Sequence, residues 1–187
     1  MIGRCMIILT SVWMTSAACA QAPAGGTFEV EYSPSLLIPL RVSWALRPSD
    51  LGRTTREPSM KFYEDTSAPV PRANPSDYSR SGYDRGHMCP AADRSYSRDA
   101  MRATFIMTNI CPQAPALNRG QWKKIEEAAR RYVRNGHQLH ITADAVFWQA
   151  DTLRIGAHGV AVPHGFVKTV RLLANDSIIF SRYFQNN

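Results

Sequence analysis

Residues 118–136, with the sequence NRGQWKKIEEAARRYVRNG, constrain the fold more than any other part of this chain. Apolar side chains recur there at helical spacing, so a helix through this segment carries one apolar stripe that has to be buried. Asn118 and Gln121 have the residue types and spacing of an N-terminal capping box, and Gly136 stands where a C-cap glycine belongs. The segment therefore predicts an amphipathic helix. Its apolar stripe consists of Trp122, Ile125, Ala129, Tyr132 and Val133.

Strand patterns lie on both sides of this helix. The sequence LRVSWAL (residues 40–46) alternates apolar and polar residues as a half-buried strand does, and apolar, β-prone runs over 103–110, 137–148 and 166–174 predict further strands. Residues 49–81 are rich in Pro, Ser, Asp and Arg without a sustained period, which predicts a long surface loop. With 187 residues, 44% of them hydrophobic, the chain fits a single globular domain.

The amino end has the composition of an export signal. MIGR supplies one positive charge, CMIILTSVWM is a short apolar run, and SAACA offers small residues at its end. These features predict a secretory signal peptide over residues 1–20, cleaved near Ala20, because the apolar run is too short for a comfortable membrane span. Lipoprotein processing at Cys19 is disfavoured, since the residues before it do not match that signal. We therefore expect a domain over residues 21–187 that is secreted or periplasmic.

The chain is basic, with 22 Lys and Arg residues against 15 Asp and Glu residues and a formal net charge of +7. Loss of Arg4 with the signal peptide would leave 21 basic and 15 acidic side chains, so the excess survives processing. A basic exported domain suits a polyanionic partner, either nucleic acid or a membrane surface, through counterion release and long-range steering. Charge by itself does not choose between these partners.

Cys89 and Cys111 are the two cysteines outside the predicted signal peptide. In an oxidising compartment a disulfide between them is one interpretation. Spacing alone does not show whether their Cα atoms come within bridging distance, so two free thiols are the other. A zinc site formed by the two cysteines and His87 is disfavoured, because it lacks a fourth ligand and the usual ligand intervals.

The segment SGYDRGHMCPAADRS (residues 81–95) sets His87 two residues after Arg85 and close to another Asp-Arg pair. Cations near an imidazole lower its pKa and hold it neutral. Because a neutral imidazole can accept a proton, His87 is a candidate general base.

Four motifs together indicate a family. YDRGHMCPAADR, TNICPQ, LNRGQW and IEEAAR resemble, in order and in spacing, the DNA/RNA non-specific endonuclease family, the ββα-metal nucleases. The resemblance runs from about residue 32 to residue 168 and is densest over 82–130. It implies an α+β fold, with a mostly antiparallel central sheet flanked by helices. In that fold the hairpin around His87 and the helix from Asn118 form the ββα-metal motif.

The resemblance also assigns the central roles at the site. His87 matches the general base that takes a proton from the attacking water, and Asn118 matches the direct protein ligand of a divalent metal, Mg²⁺ or Mn²⁺. Glu126 matches the carboxylate that hydrogen-bonds the metal-bound water. Asp84 would orient a neighbouring backbone group or arginine, and Gly86 would let the backbone approach a phosphate closely.

Further residues are implied in supporting roles. Arg85 matches the arginine that holds the phosphate as charge develops in the transition state, and Arg130 assists it. Asn109 matches an asparagine that supports the histidine or the geometry of the metal finger. One of Arg53 and Arg56 also contributes, although the alignment of these two arginines is poor. The implied activity is metal-dependent hydrolysis of phosphodiester bonds in DNA and RNA with little sequence preference.

Simpler structural interpretations of the same residues remain open, as do alternative functions. Asn118 would serve as an N-cap, Glu126 as the i,i+4 ion-pair partner of Arg130, and Glu127 as that of Arg131. A secreted basic protein that binds polyanions without cutting them is the alternative to a nuclease, and a phosphodiesterase for small nucleotides is a further one. Because the chain ends soon after FSRYF, an exposed strand edge and a homodimer are also expected.

Overall fold

The computed structural model of the protein describes residues 20–21, 27–56, 60–148 and 152–187. The predicted signal peptide, apart from residue 20, falls outside this part of the chain, and so the signal stays a prediction. Within the described ranges, no helix has both the length and the apolar character needed to cross a bilayer.

One antiparallel sheet forms the centre of the fold. Its strand order is β1-β2-β3-β6-β9-β10, and all of its neighbouring pairs are antiparallel. Alternation along the central strands points one set of apolar side chains to the same face, where the core lies. The six strands are β1 (Ala20–Gln21), β2 (Glu29–Ser33), β3 (Ile38–Leu46), β6 (Leu139–Val146), β9 (Gly165–Leu172) and β10 (Ile178–Gln185).

Two smaller antiparallel pairs and two α-helices complete the regular structure among the described residues. Strand β4 pairs with β5, and β7 pairs with β8. The predicted α+β class, with a mostly antiparallel sheet and helices, is confirmed. These elements are β4 (Asp84–His87), α1 (Arg98–Ala103), β5 (Ile110–Gln113), α2 (Lys123–Arg134), β7 (Arg154–Ile155) and β8 (Val160–Ala161).

Helix α2 covers the apolar face of the central sheet. The Trp122 ring, just before α2, has its centroid 5.5 Å from that of Phe166 on β9 and 5.7 Å from that of Phe184 on β10. Ala129 and Val133 of the predicted stripe are buried with it, whereas Tyr132 is 45% exposed. Gly136 has a φ of +93° just after the helix, so the predicted C-cap is confirmed.

Three of the predicted strands are present, and one prediction is wrong. The patterns at 40–46, 137–148 and 166–174 correspond to β3, β6 and β9. The run at 103–110 instead contains the end of α1 and a 3₁₀ turn at Met107–Asn109, and β5 begins only at Ile110. Phe105 of this run is buried without a strand, because it packs with Met60 and Met101 in a separate small cluster.

The long segment at 49–81 lacks strands and α-helices among its described residues, as predicted. It contains 3₁₀ turns at Pro48–Asp50 and Pro75–Tyr78. The segment is not confined to the surface, however, because Met60, Asp77 and Tyr78 are buried. It therefore packs against the β4–β5 pair and can place side chains beside His87.

Strand β10 lies at the edge of the central sheet among the described residues. It pairs with β9 alone, and Ile178 and Tyr183 on it are 55% and 39% exposed. An exposed strand edge can pair with another chain. The homodimer stays a prediction, and sedimentation at micromolar concentration tests it.

Candidate active site

His87 ends strand β4 and lies in a small aromatic enclosure. Its ring centroid is 5.3 Å from that of Phe62 and 4.8 Å from that of Phe105. The Trp122 indole N–H donates a hydrogen bond of 3.2 Å to the His87 carbonyl, which joins β4 to the start of α2. The Nε2 atom of His87 is buried and has no hydrogen-bond partner among the described residues.

The enclosure fixes the protonation state of His87. Burial, reinforced by the guanidinium of Arg56, lowers the pKa of this imidazole from 6.5 to about 3. The ring is therefore neutral at physiological pH. Arg56 lies near it, with its guanidinium carbon 5.1 Å from the Phe105 ring centroid. Of the two arginines that the sequence could not separate, the structure thus places Arg56 next to the imidazole.

Arg85 lies on the same face of β4 as His87, two residues earlier. Its Nε and one Nη donate hydrogen bonds of 3.1 Å and 2.7 Å to the Pro75 carbonyl. Its guanidinium carbon is 5.5 Å from the Phe62 ring centroid, so Phe62 contacts both predicted site residues of this strand. Arg85 is therefore held beside His87, with part of its donor capacity already used.

Gly86 faces the other side of β4. A Cβ at this position would lie 2.3 Å from the side chain of the buried Gln113 on β5. Close packing within the β4–β5 pair thus requires the glycine. The space beside Gly86 is occupied by the Gln113 side chain and not by an approach to phosphate, which was the reason that the sequence suggested.

Asn118 does not cap the helix. The chain is already helical at Leu117, one residue before Asn118, and a kink at Gly120 (φ −103°, ψ −107°) separates this first turn from the body of α2. The backbone N–H of Asn118 donates to the Ala114 carbonyl at 2.9 Å, which places Asn118 inside the first turn. The predicted capping box with Gln121 is therefore wrong, and the side chain of Asn118 is available for another purpose.

Asp84 orients the amide of Asn118. The Asn118 Nδ2 donates a hydrogen bond of 2.9 Å to Asp84 Oδ2, so Oδ1 points away from this carboxylate. Arg119 donates to both oxygens of the same carboxylate, at 2.8 Å and 2.6 Å. Burial opposes ionisation of Asp84, but these hydrogen bonds and the charge of Arg119 outweigh it and lower its pKa. A charged Asp84 leaves the amide oxygen of Asn118 free to act as a ligand.

Glu126 and Arg130 line the same side of α2 but do not pair with each other. Glu126 Oε1 is 3.5 Å from Lys168 Nζ, and Arg130 donates a hydrogen bond of 2.8 Å to Asp93. The expectation that Glu126 pairs with Arg130 is wrong, because each of these residues has a partner from another part of the chain. Glu127 likewise pairs with Lys123 at 3.9 Å and not with Arg131.

Burial dominates the electrostatics of the pair formed by Glu126 and Lys168. It raises the pKa of Glu126 to about 7, although the ammonium of Lys168 acts in the opposite direction. Burial also lowers the pKa of Lys168. Both shifts have one cause, the cost of keeping a charge away from water. Each shift favours the neutral form of its own group, while the opposite charge of the partner opposes it.

Asn109 supports the geometry of the finger, as predicted, and does not touch the cavity. It is fully buried. Its Oδ1 accepts a hydrogen bond of 2.9 Å from the Cys89 N–H, and its Nδ2 donates to the carbonyls of Cys89 and Thr104 at 2.9 Å and 2.8 Å. These bonds fix the chain immediately after His87.

Cys89 and Cys111 are both free and buried, so the interpretation as a disulfide is wrong. The register of the β4–β5 pair sets Cys111 opposite Gly86, three residues before Cys89. Three residues of strand correspond to about 10 Å. A disulfide tolerates a Cα separation of only about 7 Å.

One cavity of about 390 Å³ unites most of the predicted site. His87, Asn118, Glu126 and Arg130 all line it, together with the cations Arg119 and Lys123. The imidazole and the amide, separated by 31 positions in the sequence, therefore share one space. Arg85 and Asn109 are not among its lining residues.

The donor set of this cavity fits one hydrated divalent cation. No group of three or more His, Cys, Asp or Glu side chains among the described residues could hold a metal, which also disfavours the zinc alternative. Mg²⁺ keeps several waters and needs only one or two protein oxygens beside substrate phosphate. The free Oδ1 of Asn118 and the carboxylate of Glu126 meet this requirement.

Sequence reasoning missed Lys168, Phe62 and Phe105. Lys168 could have been found, because it stands between Phe166 and Val170 in the inward register of a predicted strand. A lysine at such a position is unusual. The two phenylalanines belong to segments without a period, and no local signal places them beside His87.

Comparison with known proteins identifies the family of this chain. The family model described as DNA/RNA non-specific endonuclease matches residues 19–184. The chain belongs to this family. Nucleases of the family depend on a metal ion.

Individual members of the non-specific endonuclease family are similar over different lengths. Bovine mitochondrial endonuclease G is 33% identical over 165 residues, which cover 83% of this chain and 55% of that protein. A nuclease of Nostoc sp. is 42% identical over 102 residues, which cover 54% of this chain and 37% of the nuclease. The chain thus spans about half the length, or less, of these curated relatives.

A solved structure shares the fold. The crystal structure of an EndoG/EndoGI complex superposes with a TM-score of 0.80 at 23% identity, over 90% of this chain and 74% of the matched chain. The likeness confirms the ββα-metal architecture expected of the endonuclease family, with β4, β5 and the helix that begins near Asn118 as its ββα unit.

Proposed function

We propose that this protein is an exported endonuclease that uses a divalent metal to hydrolyse phosphodiester bonds in DNA and RNA with little sequence preference. One observation carries the proposal: a neutral imidazole and an uncommitted amide oxygen line the same basic cavity. Membership of the non-specific endonuclease family supports it.

His87 acts as the general base. Its buried Nε2 has no partner among the described residues and can accept the proton of a water molecule. The oxygen of that water attacks phosphorus, the bond from phosphorus to the leaving oxygen breaks, and the proton moves to the imidazole. Phe62 and Phe105 hold the ring in place, so that its neutral state and its direction are both set before substrate arrives.

Asn118 and Glu126 hold the metal. A bound Mg²⁺ or Mn²⁺ supplies charge that stabilises the negative oxygens of the scissile phosphate. Asn118 Oδ1 is the direct ligand, directed by the hydrogen bond from its Nδ2 to Asp84. Glu126 accepts hydrogen bonds from the hydration shell of the ion and so fixes its orientation.

The arginines bind phosphate. Arg130 lines the cavity and is fixed by Asp93, while Arg85 and Arg56 lie beside His87. Guanidinium groups match phosphate oxygens in shape and charge. Because these contacts involve phosphate and not base edges, little dependence on base sequence follows.

Cleavage assays test the proposal. The protein is incubated with plasmid or RNA in magnesium, with and without chelator, and we expect degradation that the chelator stops. His87→Ala should lower the rate at least about 100-fold, as expected for loss of a general base. The exposed His137 provides the matched control, since His137→Ala removes an imidazole from outside the cavity.

Two outcomes would refute the proposal. An unchanged rate in His87→Ala would exclude the mechanism. Binding of plasmid by the wild-type protein without any cleavage would favour the polyanion-binding alternative. Export is tested separately, because mass spectrometry of the protein from medium and periplasm should find a new amino terminus next to Ala20.

A further inference from the structure

Lys168 lies in the core of the central sheet, where a cation is unexpected. The residue is 1% exposed, and its neighbours on the same face of β9 are the buried Phe166 and Val170. Removal of an unpaired ammonium from water is strongly unfavourable. An apolar residue would fill this position at no such cost. The partner of the ammonium therefore indicates why a lysine is there.

That partner is Glu126. Its Oε1 is 3.5 Å from Lys168 Nζ. Asp93 also attracts the ammonium, but its oxygens already accept hydrogen bonds from Arg130 at 2.8 Å and from the Trp44 indole at 3.0 Å. Among the described residues, Glu126 is thus the carboxylate with which Lys168 forms an ion pair.

Two indole rings restrain the ammonium from the other directions. Lys168 Nζ is 3.8 Å from the Trp122 ring centroid and 5.5 Å from that of Trp44. Such contacts attract a cation to the ring face. Nζ has no further hydrogen-bond partner among the described residues. The ammonium therefore has one position, set by the sheet and the rings, and presents a fixed charge to Glu126.

Glu126 in turn reaches the active-site cavity. It lines that cavity with Arg130 and Asn118, although its side chain is only 13% exposed. Lys168 attracts Oε1, and no donor among the described residues is hydrogen-bonded to Oε2. We propose that Lys168 is a positioning residue that holds Oε1 of Glu126, so that Oε2 faces the hydration shell of the metal. The inference rests on the proposed function.

Mn²⁺ binding to the protein without substrate tests the inference. Electron paramagnetic resonance measures the affinity for Mn²⁺ in the wild type, in Lys168→Met and in Arg171→Met. Lys168→Met should weaken Mn²⁺ binding about tenfold, the effect typical of losing a partner behind a metal site. Arg171→Met is the matched control, because Arg171 is a cation on the opposite face of β9 and pairs with the exposed Asp176. It should leave the affinity unchanged.

A double-mutant cycle with Glu126→Gln separates positioning from general stabilisation. If Lys168 acts through Glu126, Lys168→Met should not weaken Mn²⁺ binding further in the Glu126→Gln background. A merely structural role would lower the unfolding temperature and leave Mn²⁺ affinity unchanged. Equal losses of affinity in both backgrounds, or no loss in either, would overturn the inference.

A second variant and a second assay keep these results distinct. Lys168→Gln removes the charge but keeps a polar side chain, and it replaces Lys168→Met in the same cycle if circular dichroism shows that the methionine variant is unfolded. Plasmid cleavage by the wild type tests the proposed function on its own. If the wild type does not cleave plasmid but the double-mutant cycle shows that Lys168 and Glu126 act together on Mn²⁺ binding, the nuclease function is refuted and the role of Lys168 is supported. If the wild type cleaves plasmid but the cycle shows no such coupling, only the role of Lys168 is refuted.

Discussion

The two sides of the active-site cavity bury ionisable groups in opposite ways. On the β4 side, His87 lies between Phe62 and Phe105 with a cation near it, and it loses its charge. On the α2 side, four charges are buried as two pairs, Glu126 with Lys168 and Arg130 with Asp93. Desolvation, reinforced by a nearby cation, produces a neutral proton acceptor, whereas groups that have to remain charged each need an opposite charge close by.

The largest expected effect is a loss of stability on the α2 side. Asp93→Ala would leave the guanidinium of Arg130 buried without its partner and should lower the free energy of unfolding by about 3–5 kcal/mol. Urea denaturation measures the change. Asp99→Ala, which removes an exposed carboxylate from α1, is the control. A loss for Asp93→Ala no larger than that of the control would show that the paired charges are not needed on this side.

A smaller effect is expected on catalysis from Asn118. Asn118→Ala removes the free amide oxygen and should lower magnesium-dependent cleavage about 100-fold, equivalent to about 2.7 kcal/mol of barrier. Asn135→Ala changes an exposed asparagine at the end of α2 and should have no such effect. The magnesium dependence of the initial rate is the measurement. An undiminished response to magnesium in Asn118→Ala would exclude Asn118 as the metal ligand.

On the β4 side of the cavity, the neutral His87 should make the stability of the fold sensitive to acid. The pKa of His87 is lowered to about 3 in the folded protein and returns to 6.5 on unfolding, so protons bind preferentially to the unfolded chain. The stability that is present above pH 6.5 should therefore fall between pH 6.5 and 3, by at most about 1.4 kcal/mol per pH unit. His87→Gln should lack this contribution. Unfolding free energies of both proteins, measured from pH 7 to pH 4, give the difference, and parallel curves would contradict it.

The smallest effect belongs to the exposed rim of the cavity. The Arg119 side chain is 72% exposed and that of Asp84 is 18% exposed, and an ion pair open to solvent on one side contributes little. Arg119→Gln should therefore leave the unfolding temperature unchanged within error. Differential scanning calorimetry checks this expectation. A clear destabilisation would show that the Arg119–Asp84 pair stabilises the fold despite the exposure of Arg119.

Local patterns predicted much of this molecule. Alternation indicated β3, apolar and β-prone runs indicated β6 and β9, and helical spacing indicated the body of α2. His87, Asn118, Glu126 and Arg130, which the four motifs contain, line one cavity, and their roles there stay predictions. Residues whose roles depend on neighbours in sequence were therefore the most predictable.

The failures have one physical origin, since each depends on contacts between distant elements. The run at 103–110 is equally compatible with a strand and with a buried loop, and packing around Phe105 decides between them. Asn118 has the composition of a cap, but Asp84 from another element binds its amide. Glu126 was assigned a helical neighbour, while its partner Lys168 comes from β9.

The two buried thiols, Cys89 and Cys111, should be unreactive towards redox reagents. Burial raises the pKa of both Cys89 and Cys111, so almost no thiolate exists at neutral pH to react with oxidants or alkylating agents. No cross-link between them contributes to the fold. Dithiothreitol and glutathione should therefore leave these two thiols unchanged, and folding of the described domain around them requires no oxidant.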